Sequence, residues 1–369
     1  MKIVVKIILV LLLALSTEVV NAQSIKSTNG NFELVQTKEF ILQENLKFYN
    51  FSMGVYFNAE KLLLSVNNPP MVISYNFEGE QTKILTKEGA GPGEFLGPGA
   101  IAEKDGNLLI WDAMQLKFVE VSSDGEYIGE YIGVKRALGK FSVTNDKLII
   151  YSYGGLVGGL ISVYNINGSR LERIKGIDKI TDRHSKMTGL RYTNPFAVRN
   201  NIVYYGRADE PKIYSYNLRS DKKDSVVIND PSFSISEANF SIRDRSEQAE
   251  VDWQNFILTN SRFKNIYALD NYLVAEVQNG NNFDKTRENV FHIFDYQLNK
   301  IDEIKLEHKD MLVLGSGAKF GYGSELLFLN DYPDMTNNRG KFIPGTAQNY
   351  KRGEHHNKKI TIFQLRRIN

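Results

Sequence analysis

The sequence predicts an all-β chain, a six-bladed β-propeller of four-stranded antiparallel blades whose last blade is closed by an N-terminal strand. Three observations predict it. Short apolar runs rich in β-branched and aromatic residues are bounded by Asn, Asp and Gly, which marks strands rather than helices. A tight polar turn followed by such a run returns along the chain at intervals of roughly 40 to 70 residues, the period of a propeller. An apolar segment near the N-terminus supplies a strand that the last repeat lacks.

In chain order, residues 1–22 come first. Lys2 and Lys6 precede an unbroken run of nine apolar residues, 7–15, and Val20-Asn21-Ala22 is a small-residue cleavage site. That is the pattern of a secretory signal peptide cleaved after Ala22. The run falls short of the roughly 20 residues that a spanning helix needs. No later segment is long and apolar enough to span. The mature chain is therefore expected to be exported, periplasmic or extracellular. The sequence has no Cys, which removes lipoprotein anchoring, disulfides and thiol chemistry together. Stability must come from an apolar core. The formal charge of +2 loses two lysines and one glutamate with the signal, leaving +1, so the composition excludes a dedicated nucleic-acid binder.

The turn-and-run unit appears at Asn58-Ala59-Glu60-Lys61 before LLLSV, Asp105-Gly106-Asn107 before LLIWD, and Asn145-Asp146 before KLIIYSY. It returns at Asn200-Asn201 before IVYYG, Asp270-Asn271 before YLVAEV, and Gly323-Ser324 before ELLFLN. Each run is followed by another strand, and Asp124-Gly125 and Asn167-Gly168 are strong hairpin signals because both turn positions favour positive φ. The final unit runs out of chain at ITIFQLRRIN. The segment NFELVQTKEFILQ completes it, and joining the termini in one sheet removes an open edge.

In such a meander the connections between strands one and two, and three and four, lie at one end. Here these are all short. Every long connection lies at the other end: 176–195, 230–265, 278–289 and 330–358. Long loops gathered on one face of a rigid scaffold mark the functional face. Within the second of them, residues 243–259 carry Val251, Trp253, Phe256 and Ile257 beside Asp244, Arg245, Glu247 and Glu250, the pattern of a short amphipathic helix.

The stretch 87–112, KEGAGPGEFLGPGAIAEKDGNLLIWD, is glycine-rich, yet a strand rather than a helix follows it. A phosphate cradle needs the helix, so the glycines read as a close crossing between blades. Phe95 is placed to wedge between sheets and Pro98 to open an inner strand. Glu94 is the one residue there with chemistry to offer, and backbone amides are its expected partners.

The same stretch resembles a known family. Phe95, Pro98, Ile101, Asp105-Gly106-Asn107, Ile110, Asp112, Lys117, Phe118 and Asp124-Gly125 stand where NHL repeats carry Phe, Pro, Ile, Asp-Gly-Asn, Val, Asp, Arg, Ile and Asp-Gly. Gly91-Pro92-Gly93-Glu94-Phe95 is similar to the GxGPGEF signature of bacterial secreted six-bladed propellers of the TolB-like type. The resemblance covers residues 87–131, one blade. It implies the fold and little about activity. Lys117 replaces the consensus Arg, and the other blades lack the motif.

Candidate ligand-binding residues on the functional rim are Glu94, Asp112, Lys117, Arg207, Asp209, Glu210, Glu276, Arg287 and Asp331. Several of them end second strands and so converge on a central pocket, as a binding site, as an acid and base, or as structural ion pairs. His184, His355 and His356 are the metal candidates, although adjacent histidines do not suit one ion. His292 reads as a packed or surface strand residue. Gly315-Ser316-Gly317 lacks the spacing of a nucleophile elbow. No cofactor is predicted; a calcium or zinc ion in the central channel stays open. Loops 176–195 and 330–358 each carry a formal +2, which admits an anionic partner such as an acidic glycan or a peptide carboxylate. Two functions follow: a binding module for a protein, peptide or glycan, or a propeller hydrolase or lyase using pore-facing carboxylates, with or without a metal.

Overall fold

The computed structural model of the chain describes residues 24–42, 51–67, 69–134, 140–152, 159–182, 184–185, 193, 195–237, 246–279, 288–306, 318–332 and 357–368. After β1 (Ser24–Lys26) and β2 (Phe32–Ile41), the strands fall into consecutive antiparallel meanders. The first is β3 (Phe51–Phe57), β4 (Leu62–Asn67), β5 (Pro70–Tyr75) and β6 (Gln81–Ile84). Two-residue strands β7 (Lys87–Glu88) and β8 (Glu94–Phe95) pair in parallel. The second meander is β9 (Pro98–Lys104), β10 (Asn107–Asp112), β11 (Lys117–Val121) and β12 (Tyr127–Ile132). The third is β13 (Lys140–Thr144), β14 (Lys147–Tyr151), β15 (Ile161–Asn167) and β16 (Arg170–Ile177). The fourth is β17 (Phe196–Arg199), β18 (Ile202–Tyr205), β19 (Lys212–Asn217) and β20 (Lys223–Val227).

Helix α1 (Glu247–Thr259) precedes the fifth meander, β21 (Arg262–Ala268), β22 (Leu273–Asn279), β23 (Glu288–Phe294) and β24 (Lys300–Leu306). The last sheet mixes the two ends of the chain. Its order is β1-β2-β27-β26-β25, with β25 (Ala318–Tyr322), β26 (Glu325–Tyr332) and β27 (Asn357–Arg367). The expected N-terminal strand is β2, antiparallel to β27 from Phe32↔Arg367 to Ile41↔Lys359. Two features lie outside the sequence expectation. β1 adds a fifth strand beyond β2, and one parallel pair, Ile132↔Arg170, fuses the second and third meanders into an eight-stranded sheet.

Each meander's second strand carries an apolar run because it is central and buried on both faces. In β4, Leu62, Leu64 and Val66 pack with Leu327, Ile360 and Ile362 of the terminal sheet, while Leu63 faces Ile101, Leu108 and Ile110 of the second meander. β10 divides likewise, Leu108 and Ile110 one way, Leu109 and Trp111 the other. In β14, Leu148 and Ile150 face back and Ile149 and Tyr151 forward; in β18, Val203 and Tyr205 face back and Tyr204 forward. The two-residue period of a strand thus serves two interfaces. One apolar cluster lies between each pair of successive sheets, and the clusters at either side of the terminal sheet link it to the fifth meander and to the first.

First strands of neighbouring sheets touch, β3 with β9, β9 with β13, and so on to β25 with β3. The approach is closest at Gly54, where a Cβ would sit 1.7 Å from the Gly99 carbonyl oxygen, so only glycine fits. The short turns use the residues that tolerate positive φ: Asp105 (53°) with Gly106 (83°), Asn145 (42°) with Asp146 (53°), and Asn200 (49°) with Asn201 (63°). At that end, sheets are tied across: Lys61 Nζ donates to the Ser123 carbonyl (3.0 Å), Asn145 Nδ2 to Asn201 Oδ1 (2.5 Å), and Arg199 to the Leu269 carbonyl (2.8 Å).

Helix α1 spans thirteen residues, a little shorter than the amphipathic pattern. Ser246 caps it, accepting from the Ala249 N–H at 3.2 Å, and among its described side chains Ala249 and Phe256, seven apart, are buried. Val251, placed by the pattern on the apolar side, is 44% exposed.

Candidate functional site

Two groups of polar side chains stand at the end of the sheets that carries the long connections. The first surrounds the crossing into the second meander. Asp112, the last residue of β10, is completely buried, and both its oxygens are occupied. Oδ2 accepts from the Leu96 N–H (2.8 Å) and Gln115 Nε2 (2.9 Å), while Oδ1 accepts from the N–H groups of Met114 and Gln115, both at 2.9 Å. Glu94 Oε2 accepts from the Gly91 N–H at 2.8 Å, as expected of a carboxylate in a glycine-rich crossing. Lys117 Nζ pairs with Glu130 at 2.6 Å and reaches the Gly91 carbonyl at 3.4 Å. Phe95 is completely buried against Leu63, Val72, Ile101 and Ile110, between the first and second meanders. The turn they hold is polar inside and apolar outside: Met114 is 72% exposed, Leu96 and Leu116 42% each. Leu116 has φ 53°, an unfavourable conformation for a bulky side chain.

The second group lies where the third and fourth meanders meet. Arg207, Asp209 and Glu210 follow β18, and Asp178, Thr181 and His184 follow β16. Arg207 pairs with Glu210 at 2.6 Å and donates to the Tyr214 hydroxyl at 3.1 Å. Tyr214 stacks on Tyr205, ring centroids 5.3 Å apart. Three cations surround the Tyr214 ring: Lys223 at 4.5 Å, Lys212 at 4.9 Å and Arg207 at 5.5 Å from its centroid. Lys223 also pairs with Asp178 at 2.6 Å, and the Tyr205 hydroxyl donates to the same carboxylate at 2.9 Å.

Asp209 Oδ2 accepts from the Thr181 hydroxyl at 2.9 Å, its Oδ1 is buried without a hydrogen-bond donor, and burial pushes its pKa up. His184 is completely buried, edge-on to Tyr151. Its Nδ1 accepts from the Ala208 N–H at 2.9 Å, and burial, with Arg207 nearby, pushes its pKa down to about 3. The ring is therefore neutral at physiological pH, with its proton on Nε2. Lys140, which opens β13, reaches across to the fourth meander and donates to the Phe196 carbonyl at 3.0 Å. Burial pushes its pKa down to about 8.

Of the residues expected at the rim, Arg207, Asp209 and Glu210 come together in this wedge, beside the metal candidate His184, and Glu94, Asp112 and Lys117 come together in the crossing. Glu276 joins neither. It lies inside β22, three residues before the strand ends, and is completely buried. There Oε2 accepts from Asn265 Nδ2 (3.0 Å) and the Tyr267 hydroxyl (2.6 Å), and Oε1 from Asn289 Nδ2 (3.0 Å). Gln278 extends this polar seam, bonding to Asn289 on one side and to Arg262 on the other. Asp331 is in β26, and its side chain is not among those described. Arg287, His355 and His356 lie outside the described residues. His292 is buried between Asp230 and Glu303, each 3.4 Å from one ring nitrogen.

Lys140, Lys212, Tyr214 and Lys223 were not singled out by the sequence. A signal existed: Lys212, Tyr214 and Tyr216 alternate along β19 and so share one face. Among the described residues, no group of three or more His, Cys, Asp or Glu is placed to hold a metal ion.

No family model matches the sequence, and no curated protein does. Solved structures do. The chain is similar to a member of the DUF4221 family from Bacteroides vulgatus, with a TM-score of 0.58 at 11% identity, over 92% of this chain and 99% of that one. It is equally similar, TM-score 0.58 at 13% identity, to a Bacteroides fragilis protein named for its inferred export, over 93% and 97% of the two chains. The likeness is one of fold alone. The neighbours share an all-β architecture with this chain along nearly their full lengths, and the likeness says nothing about the NHL or TolB-like pattern. Among the described residues, no helix is long and apolar enough to cross a membrane.

Proposed function

We propose that this protein is an exported six-bladed β-propeller that binds a protein, peptide or glycan ligand on the face carrying its long connections. In this reading the five meanders and the terminal sheet are the six blades, and the terminal sheet closes the ring. Export is supported by the signal-like residues 1–22 and by the naming of the Bacteroides fragilis neighbour.

The observation that carries the binding role is the wedge between blades three and four. Three cations gathered around one tyrosine ring repel one another, a cost that the pairs Arg207–Glu210 and Lys223–Asp178 offset for two of them and that no described carboxylate offsets for Lys212. Such a cluster is fixed in position before any ligand arrives, which lowers the cost of binding. The alternative, a hydrolase or lyase, rests on Asp209, whose raised pKa suits a general acid.

The test is to screen the purified mature protein against immobilised glycans and peptides, alongside Tyr214→Ala and the opposite-face variant Asn145→Ala. Binding that survives Asn145→Ala and is lost in Tyr214→Ala, with the ligand recovered intact, is the expected outcome. Loss in Asn145→Ala alone overturns the site. Cleavage of the ligand favours the enzyme.

A further inference from the structure

The buried polar seam of the fifth meander gathers an amine and a carboxamide on one carboxylate oxygen. Glu276 Oε1 lies 3.7 Å from Lys264 Nζ and accepts from Asn289 Nδ2 at 3.0 Å. The register shift between Phe263 and Asn265 explains why Lys264 is there. It is the extra residue of a bulge, and a bulge re-aims a side chain that would otherwise alternate away from its neighbour. Lys264 is 3% exposed, and Glu276 and Asn289 are completely buried. Asn289 shares a face of β23 with Phe291, which belongs to the apolar cluster against the terminal sheet. The carboxamide is oriented in its turn. Arg262 Nε donates to Gln278 Oε1 at 2.7 Å, which turns Gln278 Nε2 toward Asn289 Oδ1, at 3.1 Å.

These groups are the parts of an amide exchange. A charged pair in such surroundings is costly, and passing one proton from the Lys264 ammonium to Glu276 removes both charges and leaves a nucleophilic amine. The Gln278 donor polarises the Asn289 carbonyl and is in place for the oxyanion of a tetrahedral adduct. Glu276 lies against both nitrogens and can act as acid and base. Because the two nitrogens flank the same oxygen, the Asn289 carbonyl carbon is within the swing of the flexible lysine stem. We infer that Lys264 and Asn289 form an intramolecular isopeptide bond. Nζ attacks Cγ of Asn289, and Glu276 gives its proton to Nδ2 and takes one from Nζ. The Nζ–Cγ bond forms, the Cγ–Nδ2 bond breaks, and ammonia leaves. No oxidant or cofactor enters. The bond ties β21 to β23 across β22, a covalent link in a chain that has no Cys for a disulfide.

The experiment is mass spectrometry of the purified mature protein after denaturation, followed by tandem sequencing of its tryptic digest. The expected result is an intact mass one ammonia below that of the sequence. The digest is expected to contain a branched peptide, uncut at Lys264, that joins the segment holding Lys264 to the segment holding Asn289. Lys264→Met and Glu276→Gln are expected to restore the full mass of their own sequences and to return two separate peptides. Cyclisation of Gln23 at a mature N-terminus and succinimide formation at Asn167-Gly168 also release ammonia, so the branched peptide decides, not the mass alone.

Linear wild-type peptides carrying unmodified Lys264 and Asn289, with no branched form, overturn the inference whatever the intact mass. A branch from Lys264 to any other residue overturns it as well. A branch that persists at the wild-type level in Glu276→Gln overturns the part given to Glu276. The wild-type digest decides the bond even where a variant of this buried seam fails to fold.

Discussion

The crossing into the second meander and the wedge between the third and fourth are both crowded with charged residues at the same end of the sheets, yet they are built in opposite senses. In the crossing, polar atoms point inward. Asp112 spends both oxygens on backbone and Gln115 donors, Glu94 caps Gly91, and the apolar Leu96, Met114 and Leu116 are left outside. In the wedge, the rings of Tyr151, Tyr205 and Tyr214 are inward and the charged heads gather at the edge. The crossing has used its hydrogen-bonding capacity on its own fold, whereas in the wedge no described carboxylate pairs with Lys212. A motif dense in unusual residues is thus a poorer guide to function than a polar group whose partner is missing.

The difference can be broken experimentally, and the largest effects belong to the crossing. Phe95→Ala empties a completely buried site between two sheets and is expected to cost about 3–5 kcal/mol in chemical denaturation. Asp112→Ala leaves three backbone donors and Gln115 without their acceptor and is expected to cost about 2–3 kcal/mol. Neither substitution touches the wedge, so ligand affinity per folded molecule is expected to hold. A crossing variant that folds fully but has lost ligand would erase the distinction.

Acid is expected to strike the wedge. Folded His184 takes up a proton only near pH 3, whereas in the unfolded chain it does so near 6.5. The unfolded state therefore binds more protons in that window, and stability falls as pH drops from about 6.5 toward 3. Guanidinium midpoints at pH 7 and pH 4 should differ less in His184→Gln than in wild type. A difference of the same size in both would remove His184 from the cause.

The smallest stability effects come from the lysines. Lys212→Met is expected to stay within about 0.5 kcal/mol of wild type while weakening ligand binding. Lys140 has a folded pKa depressed to about 8, so its charged form costs stability below that pH, and stability rises between pH 8 and its ordinary value of 10.5. Lys140→Met should consequently be more stable than wild type at pH 7, and the two curves should converge above pH 10.

Much of the scaffold was legible because its signals are local. Asp105-Gly106 and Asn145-Asp146 announce positive-φ turns, and runs such as LLLSV announce strands buried on both faces. The pairing of the chain ends followed from a surplus strand and a deficient last unit. What stayed illegible depends on which neighbour a side chain meets. Glu276 read as a rim residue, but β22 runs on to Asn279, and a register shift between Phe263 and Asn265 brings Asn265 beside it in the buried seam. Glu276 and Gln278 do alternate with Ala275 and Val277, and that polar stripe was the available warning. Lys140 carries no motif at all. Its isolation arises from the Phe196 carbonyl, 56 residues away, being its hydrogen-bond partner.

The central claim, that the wedge receives ligand while the crossing serves the fold, is tested most directly by hydrogen–deuterium exchange with and without a saturating concentration of the glycan or peptide that the binding screen returns. Added protection concentrated in peptides covering residues 178–185 and 205–216, with 89–97 and 112–117 unchanged, is the predicted result. Protection at the crossing or on the short-turn face, or none anywhere, would contradict it.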